Sequence, residues 1–273
     1  MSWQVIEGDC LEAMRGMADG SFDCCVTSPP YWGLRDYGLP QSVWGGSDAC
    51  QHEWGEELVG KGQRQRNGAD GGLHSGRETN GLAEIVQTEY RQGCWCQQCG
   101  AWRGWYGLEP TPELYVEHTV AIFREVRRVL ADHGTCWLNL GDSYTSGGRD
   151  THGTRVGYKQ QTNRGMNGEA DPARAPQPPG LKPKDLCGIP WRVAFALQAD
   201  GWWLRSDVVW AKGWSFCPDR AGNPMPESVT DRPVRAHEYV FLLSKRERYY
   251  YDATAVRERA AAETVARLSQ TSL

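Results

Sequence analysis

Hydrophobic and polar positions along the chain fall into compact runs separated by long polar stretches. Residues 3–9, "WQVIEGD", predict a short strand, and "CLEAMRGM" after it a short helix closed by Gly20. The run "FDCCV" predicts a second strand, which must end near Ser28 because Pro29 and Pro30 lack an N–H and have a fixed φ. Strand, tight helix and strand make a β-α-β unit, which implies a parallel sheet. In "PTPELYVEHTVAIFREVRRVLADHG", Thr111 is a natural N-cap and Pro112 a natural first helical residue. Val116, Val120, Phe123, Val126, Val129 and Leu130 then recur at helical spacing, so a helix running to Gly134 has one apolar face. "TCWLNLGD" predicts a buried strand, "DLCGIPWRVAFALQADGW" a helix, and "WWLRSDVVWAK" and "AHEYVFLLSK" two further strands.

The intervening stretches organise the chain. Residues 1–38 and 109–258 carry the regular elements, and residues 39–108 break the pattern as an insertion. Within that insertion "GKGQRQRNGADGGLHSGRETNG" has no periodicity and reads as a mobile loop. Residues 145–184 read as a second polar, mobile loop, and residues 259–273 as a helical tail by propensity. The whole is an α/β chain of three layers with a mostly parallel sheet and an antiparallel strand near its end.

Composition narrows the function classes. Of 273 residues 40% are hydrophobic, enough for a core, while a mean hydropathy of −0.61 reflects the polar stretches. A net charge of −4 argues against an all-over basic coat but not against a local basic groove. No apolar run is long enough to span a membrane, and the N-terminus lacks the charged and apolar regions of a signal peptide. The expectation is a cytoplasmic protein with reduced thiols. Thirteen tryptophans, several beside Gly or charge, suit stacking platforms as well as core.

Cysteine spacing singles out the insertion. "ACQHEWG" gives Cys50-x-His52, and "CWCQQCGAW" gives Cys96-x-x-Cys99 with Cys94 beside it. Together Cys50, His52, Cys96 and Cys99 supply four ligands suited to tetrahedral structural zinc, with Cys94 as a substitute. Unpaired surface thiols or a redox pair are the other reading.

The stretch "TSPPYWGLRDYG" carries the chemistry. Ser28 and the Pro29 carbonyl offer closely spaced acceptors on a stiff loop, and Tyr31 offers a ring. Such a pocket could hold an exocyclic amino group and stack on the base that bears it. Stacking of this kind is worth about 1–3 kcal/mol per base. Trp32 and Arg35 would border the cleft. Arg149, Arg155 and Lys159 in the 145–184 loop could track phosphates or be a solvated face. His118 and His237 read as helix-surface and strand-end residues.

"IEGDCLEAM" followed by "VTSPPYWGLRDYG" resembles the catalytic motif of the amino-group DNA methyltransferases of phage and bacteria. The 110–144, 181–212 and 223–252 blocks extend the resemblance in the same order, over most of residues 3–258. The resemblance implies a Rossmann-like fold that uses S-adenosylmethionine to methylate N4 of cytosine or N6 of adenine in double-stranded DNA, often within a restriction–modification pair. It makes Ser28, Pro29, Pro30 and Tyr31 the catalytic residues. A Ser at the first position is more often associated with N4-cytosine enzymes, and Asp with N6-adenine enzymes. Asp9 could contact the cofactor or merely cap a turn. The resemblance also implies an "F-x-G-x-G" cofactor loop near the C-terminus. The G-x-G here, Gly60-Lys61-Gly62, follows no strong strand and opens no helix. The chain is therefore expected to be a truncated or split enzyme completed by a second polypeptide, to use a variant cofactor site, or to be an inactive DNA-binding remnant.

Overall fold

The computed structural model describes residues 3–33, 37–38, 40–62, 88–145, 180–212 and 230–257. Its central sheet has the order β1-β6-β8-β7, with β1 at Phe22–Thr27, β6 at Leu130–Leu140, β7 at Trp203–Ala211 and β8 at His237–Ser244. β1 pairs parallel to β6, while β8 runs antiparallel to both β6 and β7. Three of the four strands thus point the same way and β8 is the reversed one, as the sequence pattern predicts. Helix α2 (Pro112–Val129) packs between α1 (Cys10–Arg15) and α3 (Ile189–Ala199). Its apolar stripe buries Ile122, Phe123, Val126 and Val129 over the β6 and β8 residues Leu138, Leu140, Phe241 and Leu243. Thr111 caps α2 as expected, its hydroxyl accepting from the Leu114 amide at 3.2 Å. A third layer on the opposite side of this sheet is not among the described residues.

Three expectations change. Residues 3–9 form no strand: they have no ladder partner, and Trp3 and Val5 are 87% and 78% exposed. The helix stops at Val129 rather than near Gly134, and β6 begins at once. The β1–β6 register shifts between Phe22 and Cys24, absorbing residues 131–134, and Gly134 is the residue that permits it. A Cβ there would sit 2.9 Å from the Asp23 carbonyl oxygen. Third, residues 39–108 contain a second sheet, of order β2-β5-β4-β3, with β2 at Ser42–Trp44, β3 at Leu58–Gly62, β4 at Thr88–Trp95 and β5 at Trp102–Gly104. Gly60-Lys61-Gly62 therefore lies in a strand rather than a loop. These strands are short, and their tryptophans and glycines give no clean period for sequence reading to catch. The remaining mobile-loop stretches and the C-terminal tail lie outside the described residues.

Candidate active site

The loop that begins at Ser28 leaves β1 at the C-terminal edge of the parallel pair, where open α/β sheets bind ligands. Five side chains converge there: Ser28 and Tyr31 from this loop, Asn139 from β6, Glu238 from β8 and Lys212 from the end of β7. The Ser28 hydroxyl donates to Asn139 Oδ1 at 3.2 Å and lies 3.2 Å from the Tyr31 hydroxyl. The Tyr31 hydroxyl lies 2.7 Å from Asn139 Oδ1 and 3.1 Å from Glu238 Oε2. Asn139 is fixed the right way round, because its Nδ2 donates to the Tyr239 carbonyl at 3.0 Å. Glu238 is held by its other oxygen, 2.9 Å from Lys212 Nζ. Asn139 is the last residue but one of β6, Glu238 the second of β8, and Lys212 follows β7, so the reversed strand delivers the third corner of the site. Burial raises the Tyr31 phenol above its ordinary pKa; the Ser28 contact opposes this and the Glu238 carboxylate adds to it. Tyr31 therefore stays a protonated donor.

The backbone of the loop is braced from below. The Pro30 carbonyl accepts from the Tyr115 hydroxyl at 2.9 Å. The Gly33 amide donates to the Gly107 carbonyl at 2.8 Å, and the Trp32 indole N–H to the Glu109 carbonyl at 2.9 Å. Gly107, at φ +93°, passes so close that a Cβ would meet Pro30 Cβ at 2.9 Å. Gly141 plays the same part above, since a Cβ there would fall 2.4 Å from the Tyr31 ring. Among the described residues nothing donates to the Pro29 carbonyl, and Ser28 is exposed. Ser28 Oγ and the Pro29 carbonyl are thus two acceptors that take no donor among the described residues, on a loop that is otherwise tied down.

The remaining candidate residues divide. Trp32 belongs to the brace. Asp9 caps α1, its Oδ1 accepting from the Leu11 and Glu12 amides at 2.9 and 3.1 Å. Arg35, Arg149, Arg155 and Lys159 lie outside the described residues. Cys50, His52, Cys96 and Cys99 come together away from this site, with ligand atoms within 4.8 Å of one another. Cys94 turns from them and accepts from Arg103 Nη2 at 3.4 Å. His118, expected on the helix surface, is 4% exposed, stacked between Trp44 and Trp102, with Nδ1 3.0 Å from Glu109 Oε1. Asn139, Lys212 and Glu238 were not legible as site residues. The one signal was a lone Asn inside the apolar run "WLNLG".

Comparison with known proteins bears on this geometry. Residues 22–271 match the model of a family described as DNA methylase. The Type II methyltransferase M.SmaI of Serratia marcescens is 40% identical over 260 residues, 95% of this chain and 62% of that protein. M.XycI of Xanthomonas campestris pv. cyanopsidis is 40% identical over 256 residues, 94% and 59% of the respective chains. The chain thus spans about three fifths of the length of these relatives. A solved structure from Thermus thermophilus, of a candidate DNA modification methylase complexed with S-adenosyl-L-methionine, aligns over 96% of this chain and 62% of that one, at 14% identity and a TM-score of 0.39.

Proposed function

This chain belongs to the DNA methylase family, and from that premise we propose that it methylates the exocyclic N4 of cytosine in double-stranded DNA. The observation that carries the reading is a pair of acceptors without a donor among the described residues, Ser28 Oγ and the Pro29 carbonyl, on a loop held by Tyr31, Asn139 and Glu238. An exocyclic amine has two N–H groups to offer. Both find acceptors here, which draws its lone pair toward attack and fixes its direction. When bound, S-adenosylmethionine supplies an electrophilic methyl on a sulfonium centre, so no protein nucleophile is needed. Cys24 lies along β1 and Cys25 packs toward Cys136, both in the strand rather than on the loop. Positioning and fixed dipoles are the catalytic devices that the loop provides. Tyr31 presents its ring to the extruded base from a hydroxyl whose single proton is shared between Asn139 Oδ1 and Glu238 Oε2.

For the cofactor, this chain offers Asp9, at the turn into α1. The other wall we assign to a second polypeptide or segment, and two features support that placement. β1 is an edge strand among the described residues, with Val26 78% exposed. A groove of about 330 Å³ runs beside it, lined by Met14, Met17, Phe22, Val26 and Val129. Among the described residues no helix is long and apolar enough to cross a membrane.

The test uses unmethylated DNA, tritiated S-adenosylmethionine and the chain with its completing polypeptide. Digestion to nucleosides should give N4-methyldeoxycytidine. N6-methyldeoxyadenosine would move the reading to adenine on the same scaffold. Label-free DNA from every assembly that binds it would leave a DNA-binding remnant instead.

A further inference from the structure

We infer that Cys50, His52, Cys96 and Cys99 bind one zinc ion, and that this ion holds the insertion sheet against the catalytic loop. The inference is independent of which base is methylated. Tetrahedral zinc with Zn–S bonds of about 2.3 Å sets neighbouring sulfurs about 3.8 Å apart. Cys50 Sγ and Cys96 Sγ are 3.9 Å apart, and Cys99 Sγ is 3.3 Å from His52 Nδ1. A disulfide would need the sulfurs at about 2.05 Å. These two edges match those of a metal tetrahedron and not a covalent bridge, and all four ligand atoms lie within 4.8 Å of one another.

The backbone is built to hold that spacing. The Gly100 amide donates to the Cys96 carbonyl at 3.0 Å and the Cys96 amide to the Ala101 carbonyl at 2.7 Å, which closes the turn. Gly100 takes φ +72°, a conformation that glycine supplies without strain. The Cys50–His52 segment is clamped to that turn by Gly55 N–H to the Trp95 carbonyl at 2.9 Å and Gln97 N–H to the Glu53 carbonyl at 2.8 Å. Gly46 passes so near that a Cβ would lie 2.7 Å from Cys99 Sγ. Arg103 engages the spare thiol, Cys94, which keeps the quartet at three sulfurs and one nitrogen. Among its described residues the insertion has few buried apolar side chains, chiefly Trp44 and Trp102, and a small sheet of this kind needs a staple.

The position of the staple gives it a second consequence. β5 begins one residue after Ala101, at the end of the Cys96–Cys99 turn, and leads directly into Gly107 and Glu109. Those two residues accept the Gly33 amide and the Trp32 indole of the catalytic loop. Trp44 of β2 and Trp102 of β5 clasp His118 of α2, at ring distances of 4.3 and 5.1 Å. Loosening the metal end of β2 and β5 therefore reaches the loop through one short segment.

The experiment starts with metal analysis of the 273-residue chain purified without added zinc. One zinc per chain is expected, since a structural site of this type contributes folding free energy. Replacement by cobalt should give thiolate-to-metal charge transfer and the intense ligand-field bands of a tetrahedral site with three sulfur ligands and one nitrogen. Cys96→Ser should lose the metal and Cys94→Ser should keep it. Chelation should speed hydrogen exchange at the Gly33 and Cys96 amides while the β6 and β8 amides keep their protection. A folded, metal-free chain, or full zinc content in Cys96→Ser, would overturn the site. Unchanged Gly33 exchange after metal removal would overturn the coupling. If Cys96→Ser does not fold, the cobalt spectrum of the unaltered chain still decides the ligand set.

Discussion

Gly141→Ala is expected to disable the site while sparing the fold. The added Cβ would stand 2.4 and 2.5 Å from Tyr31 Cε2 and Cδ2. Carbon contacts settle at about 3.5–4.0 Å, so the ring must retreat by roughly 1 Å. Its hydroxyl, 2.7 Å from Asn139 and 3.1 Å from Glu238, is carried out of hydrogen-bond range of at least one of them. Overpacking plus a lost bond costs about 1–3 kcal/mol of stability, a melting shift of about 2–10 °C for a chain of this size. The loss of rate is larger, because a misplacement of about 1 Å in a positioning group costs on the order of 100-fold. The assay is tritium transfer from S-adenosylmethionine to unmethylated DNA by the methylating assembly. A double-mutant cycle with Tyr31→Phe isolates the cause. The phenylalanine has already lost the anchor, so Gly141→Ala should cost it much less than it costs the parent chain. Strict additivity, or full activity in Gly141→Ala, would refute the role given to the anchored tyrosine.

Other outcomes follow from the same structure. Asp142→Ala should destabilise the chain by about 3 kcal/mol in chemical denaturation, because its nearly buried carboxylate accepts the Ser143 and Ile189 amides and pairs with Arg235 at 3.1 Å. Asp142→Asn, which keeps an acceptor for the start of α3, should cost less. The chain alone should bind S-adenosylmethionine weakly or not at all by isothermal titration, with affinity restored by the polypeptide that completes the cofactor wall. Micromolar binding by the isolated chain would show that its cofactor site is built from residues within these 273.

The periodic parts of the chain were legible, and the polar corners were not. The α2 stripe announced itself because burial on one face demands helical spacing, and the two prolines fixed the end of β1 on their own. The Cys-x-x-Cys and Cys-x-His pairs were legible as one cluster because short fixed spacings bring side chains together locally, and the structure gathers their ligand atoms within 4.8 Å. Asn139 and Glu238 lie 99 residues apart and meet only because β6 and β8 pair, with Asn139 opposite Val240 and Leu140 opposite Tyr239. No local rule carries that information. The strand expected at residues 3–9 had the right composition, but a strand exists only by pairing, and pairing is a property of neighbours.

Among the described residues Glu238 is the carboxylate that contacts Tyr31, which raises the question of whether it is a base or an anchor. Its surroundings favour the anchor. One oxygen lies 2.9 Å from Lys212 Nζ and the other 3.1 Å from the Tyr31 hydroxyl, so both are engaged within the protein. The amine that receives a methyl becomes a strong acid and gives up its proton to water without assistance, so the reaction sets no demand for a carboxylate base. What it demands is geometry, and Glu238 holds the tyrosine that holds the serine. Glu238→Gln keeps an acceptor for Tyr31 and loses the charge paired with Lys212. It should therefore retain activity within about tenfold, the scale of one weakened hydrogen bond. Its pH–rate profile should keep the shape of the parent's. Glu238→Ala, which removes the acceptor, should fall further. Loss of an acidic limb in the glutamine variant, or equal losses in the glutamine and alanine variants, would make Glu238 a general base and displace the anchoring account.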